Sequence, residues 1–360
     1  MKVVAFYLPQ FHAIPENDQW WGKGFTDWNN VRKARPLFKG HKQPQKPLND
    51  YYYDLSDPDA IRWQARIAQE YGVYGFCFYH YWFGGKLLLE KPAELLLSHT
   101  DISLPFCFSW ANEPWARTWD GKNHHILIQQ EYGTEKDWIS HFNYLLPFFK
   151  DPRYMKEDGR PMMLLYKTQS IPCAQQMMDC WERLSIEAGF KGMHFVETLR
   201  TRGYDPRPLP FRAHVEFEPA RAQCHQSLLK LNYERVRRRA IKGINSLFKC
   251  SIPHNRPDSF SAIAALSIEK RSLKGTYGGA FMGWDNTPRK GLAGNVITPP
   301  TKEEFKNYLL AKMKITKEEY ENEYIFINAW NEWAEGTFLE PSEEMKYQYL
   351  EAIKESLAIV

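Results

Sequence analysis

Eight short apolar runs recur along the chain, at 2–8, 73–79, 104–110, 162–167, 192–198, 212–218, 280–284 and 324–329. Each ends on polar or aromatic residues. Unbroken apolar runs of this length suit strands buried on both faces. Helical patterns separate several of them. Asp57-Pro58 reads as an N-cap and first helical residue. Ile61, Ala65 and Ala68 then share one face, and Gly72 supplies the stop. Thr301-x-x-Glu304 and Thr316-x-x-Glu319 have the form of capping boxes. Ser342 is placed to cap a last helix carrying Tyr349, Ile353 and Leu357. Alternating strands and helices predict a parallel sheet. Eight repeats predict a closed (β/α)8 barrel.

A barrel of this kind gathers chemistry at the C-terminal ends of its strands. Tyr7, Gln10 and His12 follow the first run, and Tyr79-His80-Tyr81-Trp82 the second. Trp110-Ala111-Asn112-Glu113-Pro114-Trp115 follows the third, and Tyr166 ends the fourth. The fifth ends at Glu197, the sixth at Glu216 and Glu218, and the seventh gives Trp284-Asp285-Asn286. The chain is expected to form one catalytic domain, 1–360, with two long connections. The loop 9–57, rich in Pro, Gly, Trp and Asn, is expected to fold over the mouth. The insertion 219–276 carries Arg235-Val236-Arg237-Arg238-Arg239, which reads first as a solvated helix face. The alternative for that run is an anionic polymer or peripheral membrane contact.

Composition narrows the function. Of the 360 residues, 43% are hydrophobic and 25% charged, and the net charge of +4 is too small to argue for nucleic acid. Aromatic residues reach 15%, with 13 Trp and 20 Tyr, an excess that suggests rings kept for ligand contact. The six cysteines form no CxxC pair, and Cys77 and Cys107 sit in apolar runs as small hydrophobes. The N-terminus enters a strand without a signal-peptide pattern, and no apolar stretch has membrane-spanning length. These features predict a cytoplasmic protein. No metal is expected, because His124-His125 is adjacent rather than at helical spacing. No cofactor is expected, because neither a P-loop nor a Gly-rich dinucleotide turn is present.

The eighth run closes on Trp330-Asn331-Glu332-Trp333-Ala334-Glu335-Gly336. Two carboxylates three residues apart, flanked by tryptophans, suit glycosidic-bond chemistry: a proton donor, a base or nucleophile, and flat rings for a sugar face. Glu332 and Glu335 are therefore the candidate catalytic pair. Their spacing does not fix the distance between the carboxyl groups, so retention and inversion stay open. Glu113 is a rival carboxylate, read here as substrate-binding. Tyr7, His12, Trp28, Tyr79, His80, Trp82, Trp110, Asn112, Tyr166, Trp284, Asp285, Trp330, Asn331 and Trp333 complete the candidate binding set. Tyr51-Tyr52-Tyr53 reads as packing.

With these residues placed, the chain resembles the WbsX-like family, related to glycoside hydrolase family 99. The likeness rests on the stretches 5–12, 20–28, 75–83 and 110–113, and on 283–288 and 331–336. It implies a (β/α)8 fold and a role in bacterial surface-polysaccharide metabolism, including lipopolysaccharide, where the family is usually labelled a glycosyltransferase. Family 99 enzymes are endo-acting α-mannosidases and mannanases. By that resemblance, Glu332 would deprotonate the sugar 2-hydroxyl, whose oxygen attacks the anomeric carbon to give a 1,2-anhydro sugar. Glu335 would protonate the leaving oxygen and then activate water. The donor needs a raised pKa, which burial beside Trp rings could supply. The departure is Ala334, where the hydrolases carry His, so the resemblance leaves substrate choice and hydrolysis open. The expectation is a glycoside hydrolase or transglycosidase acting on an oligo- or polysaccharide. A nucleotide-sugar-dependent glycosyltransferase is the runner-up and a non-catalytic glycan-binding protein the third reading.

Overall fold

The computed structural model describes residues 1–117 and 125–360; His124 of the adjacent histidine pair lies outside them. The barrel strands are β1 (Lys2–Tyr7), β2 (Val73–Phe83), β3 (Phe106–Trp110) and β4 (Arg160–Leu165), then β5 (His194–Leu199), β6 (Ala213–Glu216), β7 (Gly278–Phe281) and β8 (Tyr324–Asn328). They form one parallel sheet in the order β6-β5-β4-β3-β2-β1-β8-β7. Ala5 of β1 is in register with Phe76 on one side and Ile327 on the other. A parallel bridge between Val215 and Tyr277 joins the two edges, so eight strands close the (β/α)8 barrel. Gly279 makes that seam possible: a Cβ there would lie 2.1 Å from the Glu216 carbonyl oxygen. All eight apolar runs are strands, and every residue of β3 and β8 is buried.

In the first long connection lie α1 (Pro15–Trp21) and α2 (Asp27–Lys33). Four helices precede the next strands: α3 (Pro58–Glu70), α4 (Lys91–Ser98), α5 (Glu135–Lys150) and α6 (Ala174–Glu187). β5 and β6 are joined by an irregular segment. The insertion 219–276 holds α7 (Ala220–Cys224), α8 (Leu228–Phe248) and α9 (Phe260–Glu269). It is followed beyond β7 by α10 (Thr287–Lys290) and α11 (Lys302–Glu318). α12 (Gln348–Leu357) closes the chain. Among the described residues no helix is long and apolar enough to cross a membrane.

Capping explains where several helices begin. The Asp57 side chain accepts from the Asp59 N–H to start α3, and Thr301 and Glu304 form a reciprocal box at α11. Two expected starts are corrected. Thr316 lies inside α11, where its hydroxyl donates to the Lys312 carbonyl oxygen at 2.7 Å. The helix continues through Thr316 because Met313 and Ile315 are buried against the barrel. Ser342 accepts from the Met345 N–H in a turn ahead of α12, whose N-cap is Tyr347. Hydroxyl-to-backbone bonds of this kind serve turns as readily as helices.

Strand parity settles which residues reach the mouth, because successive side chains point to opposite faces. Phe217 faces the barrel mouth, whereas Glu216 and Glu218 face the helix layer. There Glu216 meets Lys312 of α11 at 2.5 Å, both side chains fully buried, and also accepts from Tyr320 and Ser272. Breaking such a pair strands one charge in the core. Lys312→Met should cost about 3–5 kcal/mol. The double variant Glu216→Leu with Lys312→Met should recover most of that loss, both read from denaturant unfolding.

Candidate active site

At the end of β8 the chain leaves the barrel through a short hairpin in which Asn331–Glu332 pairs with Thr337–Phe338. The turn between them is a single helical turn, Trp333–Glu335, closed by Gly336 at φ +61°. A Cβ on Gly336 would sit 2.7 Å from the Asp285 Cβ, so glycine lets this turn press against the loop after β7. Asn331 ties the hairpin to β1. Its Oδ1 accepts from the Leu8 N–H at 2.7 Å and its Nδ2 donates to the Leu8 carbonyl at 2.9 Å. Trp333 stacks on Phe338 with ring centroids 3.8 Å apart and donates to Glu340 at 2.6 Å. Glu332 and Glu335 are thereby presented from a braced turn.

One arginine joins them. Arg289, from α10, places Nη1 2.8 Å from Glu335 Oε1 and Nη2 3.1 Å from Glu332 Oε2. The same Nη2 lies 2.6 Å from Asp27 Oδ2 at the start of α2. Three carboxylates thus converge on one guanidinium in a largely buried setting. Burial, with the charges of Glu335 and Asp27, lifts Glu332 from the ordinary 4.5 to about 8 against the pull of Arg289. Burial opposes the charge on Arg289, yet Asp27, Glu332 and Glu335 hold it well above the usual guanidinium range. The carboxyl raised by this setting is Glu332, the residue whose expected role is the base.

The pair opens onto a cleft of about 240 Å³ lined by Tyr79, Tyr81, Glu113, Trp115, Tyr166, Phe217 and Trp284. Glu113 is held by Lys167 at 2.8 Å and Arg200 at 3.3 Å. A second cleft, of about 270 Å³, shares Pro114, Trp115 and Arg289 and continues to Gln10, Trp21, Phe25 and Asp27. Aromatic walls with a few convergent polar groups suit sugar rings stacked in succession. Burial pushes the Tyr79 and Tyr81 hydroxyls up, so both remain neutral. Among the described residues no cluster of three His, Cys, Asp or Glu is placed to hold a metal ion.

Of the candidate residues, the structure brings Tyr79, Glu113, Tyr166 and Trp284 to the cleft that Glu332 and Glu335 also line. The others lie in the packing behind it. On β2, Tyr79 and Tyr81 face the cleft, so His80 and Trp82 turn to α5, where His80 meets His141 at 2.8 Å and Trp82 stacks on it. Trp110 packs edge-on against the same His141. Tyr7 donates to Gln64 inside the barrel wall, and His12 bonds the Pro9 carbonyl. Asn112 bonds the backbone of Lys167 through both its amide atoms. Trp28 packs beside Trp333, and Trp330 against Phe76. Asp285 is held by His41, Gln43 and Thr287 beneath Gly336. Tyr81, Trp115, Phe217, Asp27 and Arg289 were absent from the candidate set. Parity with Tyr79 could have found Tyr81; no local pattern points to Arg289.

A sequence model of the family described as "Glycosyltransferase WbsX" matches residues 3–353. This chain belongs to that WbsX family. It is 38% identical over 360 residues to protein WxcX of Xanthomonas campestris pv. campestris strain B100, covering 99% of this chain. The WxcX of strain ATCC 33913 is also 38% identical. The WbsX-family chain spans about half the length of these relatives, 49%. Among solved structures, a family 99 endo-α-mannosidase from Bacteroides thetaiotaomicron superposes with a TM-score of 0.56 at 15% identity, over 99% of this chain and 96% of that one. A glycoside hydrolase-like protein gives 0.59 at 13%, over 99% and 93%. At such identities the likeness is one of fold: a glycoside-hydrolase-like barrel.

Two outcomes follow from the site. A carboxyl raised in the folded state contributes stability below its unfolded value of 4.5, and that contribution is lost as pH rises through about 8. Glu332→Gln should therefore melt a few degrees above wild type at pH 8, with the difference vanishing at pH 4, read by calorimetry. Gly336→Ala should lower the melting temperature and loosen the pair, because it adds a Cβ against the Asp285 backbone.

Proposed function

We propose that this chain cleaves or transfers a glycosidic bond in bacterial surface-polysaccharide metabolism, with Glu332 and Glu335 as the reacting groups. The observation that carries the reading is the bridge from Arg289 to both carboxylates at the floor of an aromatic cleft. Ionised Glu332 takes the proton from the sugar 2-hydroxyl, and that oxygen attacks the anomeric carbon as the glycosidic bond breaks. Glu335 gives its proton to the departing oxygen. Glu335, now ionised, then takes a proton from water or an acceptor hydroxyl, whose oxygen opens the 1,2-anhydro ring at the anomeric carbon. Glu332 returns its proton to the 2-oxygen. Two displacements at one carbon give net retention.

The high Glu332 pKa supports its role as base. A sugar hydroxyl is a very weak acid, and a base closer to it in pKa takes its proton at lower cost. One proton shared by the pair is enough: held on Glu332 it gives the resting form, and on Glu335 the reactive one, with no change in total charge. Arg289 contacts an oxygen of each carboxylate. Ala334 is fully buried under this turn, so the residue that departs from the family 99 pattern lies at the base of the pair.

The runner-up is a nucleotide-sugar-dependent transferase. It is favoured by the family's label and by a basic cleft of about 760 Å³ that also includes Arg289, with Lys33, Arg35, Lys242 and Lys290 on its walls. Those cations could accept a pyrophosphate.

The deciding assay gives the protein α-mannosides and a panel of bacterial surface polysaccharides without nucleotide sugars, with products read by mass spectrometry. New oligosaccharides are expected. Glu332→Gln and Glu335→Gln should each lower kcat by about 10²–10⁴-fold. A 2-deoxy analogue at the reacting sugar should not turn over. Turnover only after nucleotide sugars are added would establish the transferase instead. Binding with no turnover in either case would establish a glycan-binding protein.

A further inference from the structure

α8 is a helix of 21 residues none of which is fully buried. Its inner side, through Leu231, Glu234, Arg237 and Ile241, is half-buried on the protein. Arg237 donates to the His254 carbonyl and Arg238 to Asn255, which fixes how the helix is rolled. Its outer side carries Leu229, Tyr233, Val236, Ile244 and Leu247, at i, i+4, i+7, i+15 and i+18, which a 3.6-residue period keeps on one stripe. These side chains stand in solvent: Leu229 is 84% exposed, Val236 65% and Leu247 75%. A contiguous apolar stripe held outward in this way marks a contact surface.

The charge beside the stripe identifies what it meets. On this helical period Arg235, Arg239 and Lys242 fall together along one edge, and all three are exposed. The one acid of α8, Glu234, is turned inward and pairs with Arg237. Lys242 also forms part of the basic cleft that reaches Arg289, so the positive field runs from the helix to the mouth of the site. A second copy of the chain would bring the same arginine-lined edge against itself. An anionic bilayer supplies both needs at once: acyl chains for the stripe and phosphates for the cations. We infer that α8 docks this protein on the surface of an anionic membrane, lying in the headgroup plane with Leu229, Val236 and Leu247 inserted. The helix is monotopic in this arrangement, and the aromatic cleft is held beside the lipid phosphates. This inference stands apart from the reaction proposed above.

The test is co-sedimentation of the whole chain with vesicles of phosphatidylcholine alone or mixed with phosphatidylglycerol. Wild type should sediment with the mixed vesicles, and far less with phosphatidylcholine or in high salt. Leu229→Glu with Leu247→Glu should abolish sedimentation with an unchanged circular dichroism spectrum, since both side chains are already in solvent. Arg235→Glu with Arg239→Glu should weaken it about ten-fold or more. Wild type that ignores anionic vesicles would overturn the inference. So would sedimentation unaffected by the Leu substitutions, or a wild-type dimer that those substitutions turn into a monomer without any vesicle binding.

Discussion

The site depends on one cation serving three carboxylates. Arg289 is shared by Asp27, Glu332 and Glu335, so if all three ionised, the group would carry an excess of negative charge in a poorly solvated place. The cheaper arrangement retains a proton, and Glu332, buried and facing the charges of both Glu335 and Asp27, is where it is held. The raised Glu332 carboxyl is thus a consequence of charge counting around a fixed guanidinium.

The rest of the molecule can be understood as what keeps that guanidinium and that pair in place. Arg289 is carried by a four-residue helix whose approach is fixed by Asp285, itself held by His41 and Gln43 from the first long connection. The same connection sends Asp27 to the other side of the guanidinium. Glu332 is fixed from behind through Asn331, which is clamped to the end of β1. Losing that clamp would leave buried Leu8 backbone groups unpaired, at about 1–3 kcal/mol each. Glu340 takes three donors, Tyr53, Gln64 and Trp333, and burial lifts it to about 7, a second carboxyl kept near neutrality under the site.

The sequence carried the barrel well, because the strands are buried on both faces and their apolar runs are unbroken. It singled out Glu332 and Glu335 as a candidate pair because two acids and two tryptophans in seven residues have no use in a plain strand. It was weaker on which neighbours reach the cleft. Placing Tyr79, His80, Tyr81 and Trp82 together at a strand end ignored that alternate residues face opposite ways, and β2 keeps its alternation through all four. The same parity hid Phe217 between Glu216 and Glu218. Arg289 and Asp27 could not be found locally at all. They are 262 residues apart and meet only because the first connection folds back over the eighth strand. Thr316 and Ser342 show the converse, a correct local chemistry used for something other than a helix start.

The most direct measurement of this account is the protonation of Glu332 itself. Difference infrared spectra between wild type and Glu332→Gln isolate its carboxyl stretch from those of the other buried acids. The account predicts a protonated-carboxyl band at pH 6 that is missing from the variant and disappears as the pH passes through about 8. A Glu332 already ionised at pH 6, titrating like an ordinary glutamate, would contradict the shared proton and the charge balance around Arg289 on which the site is built.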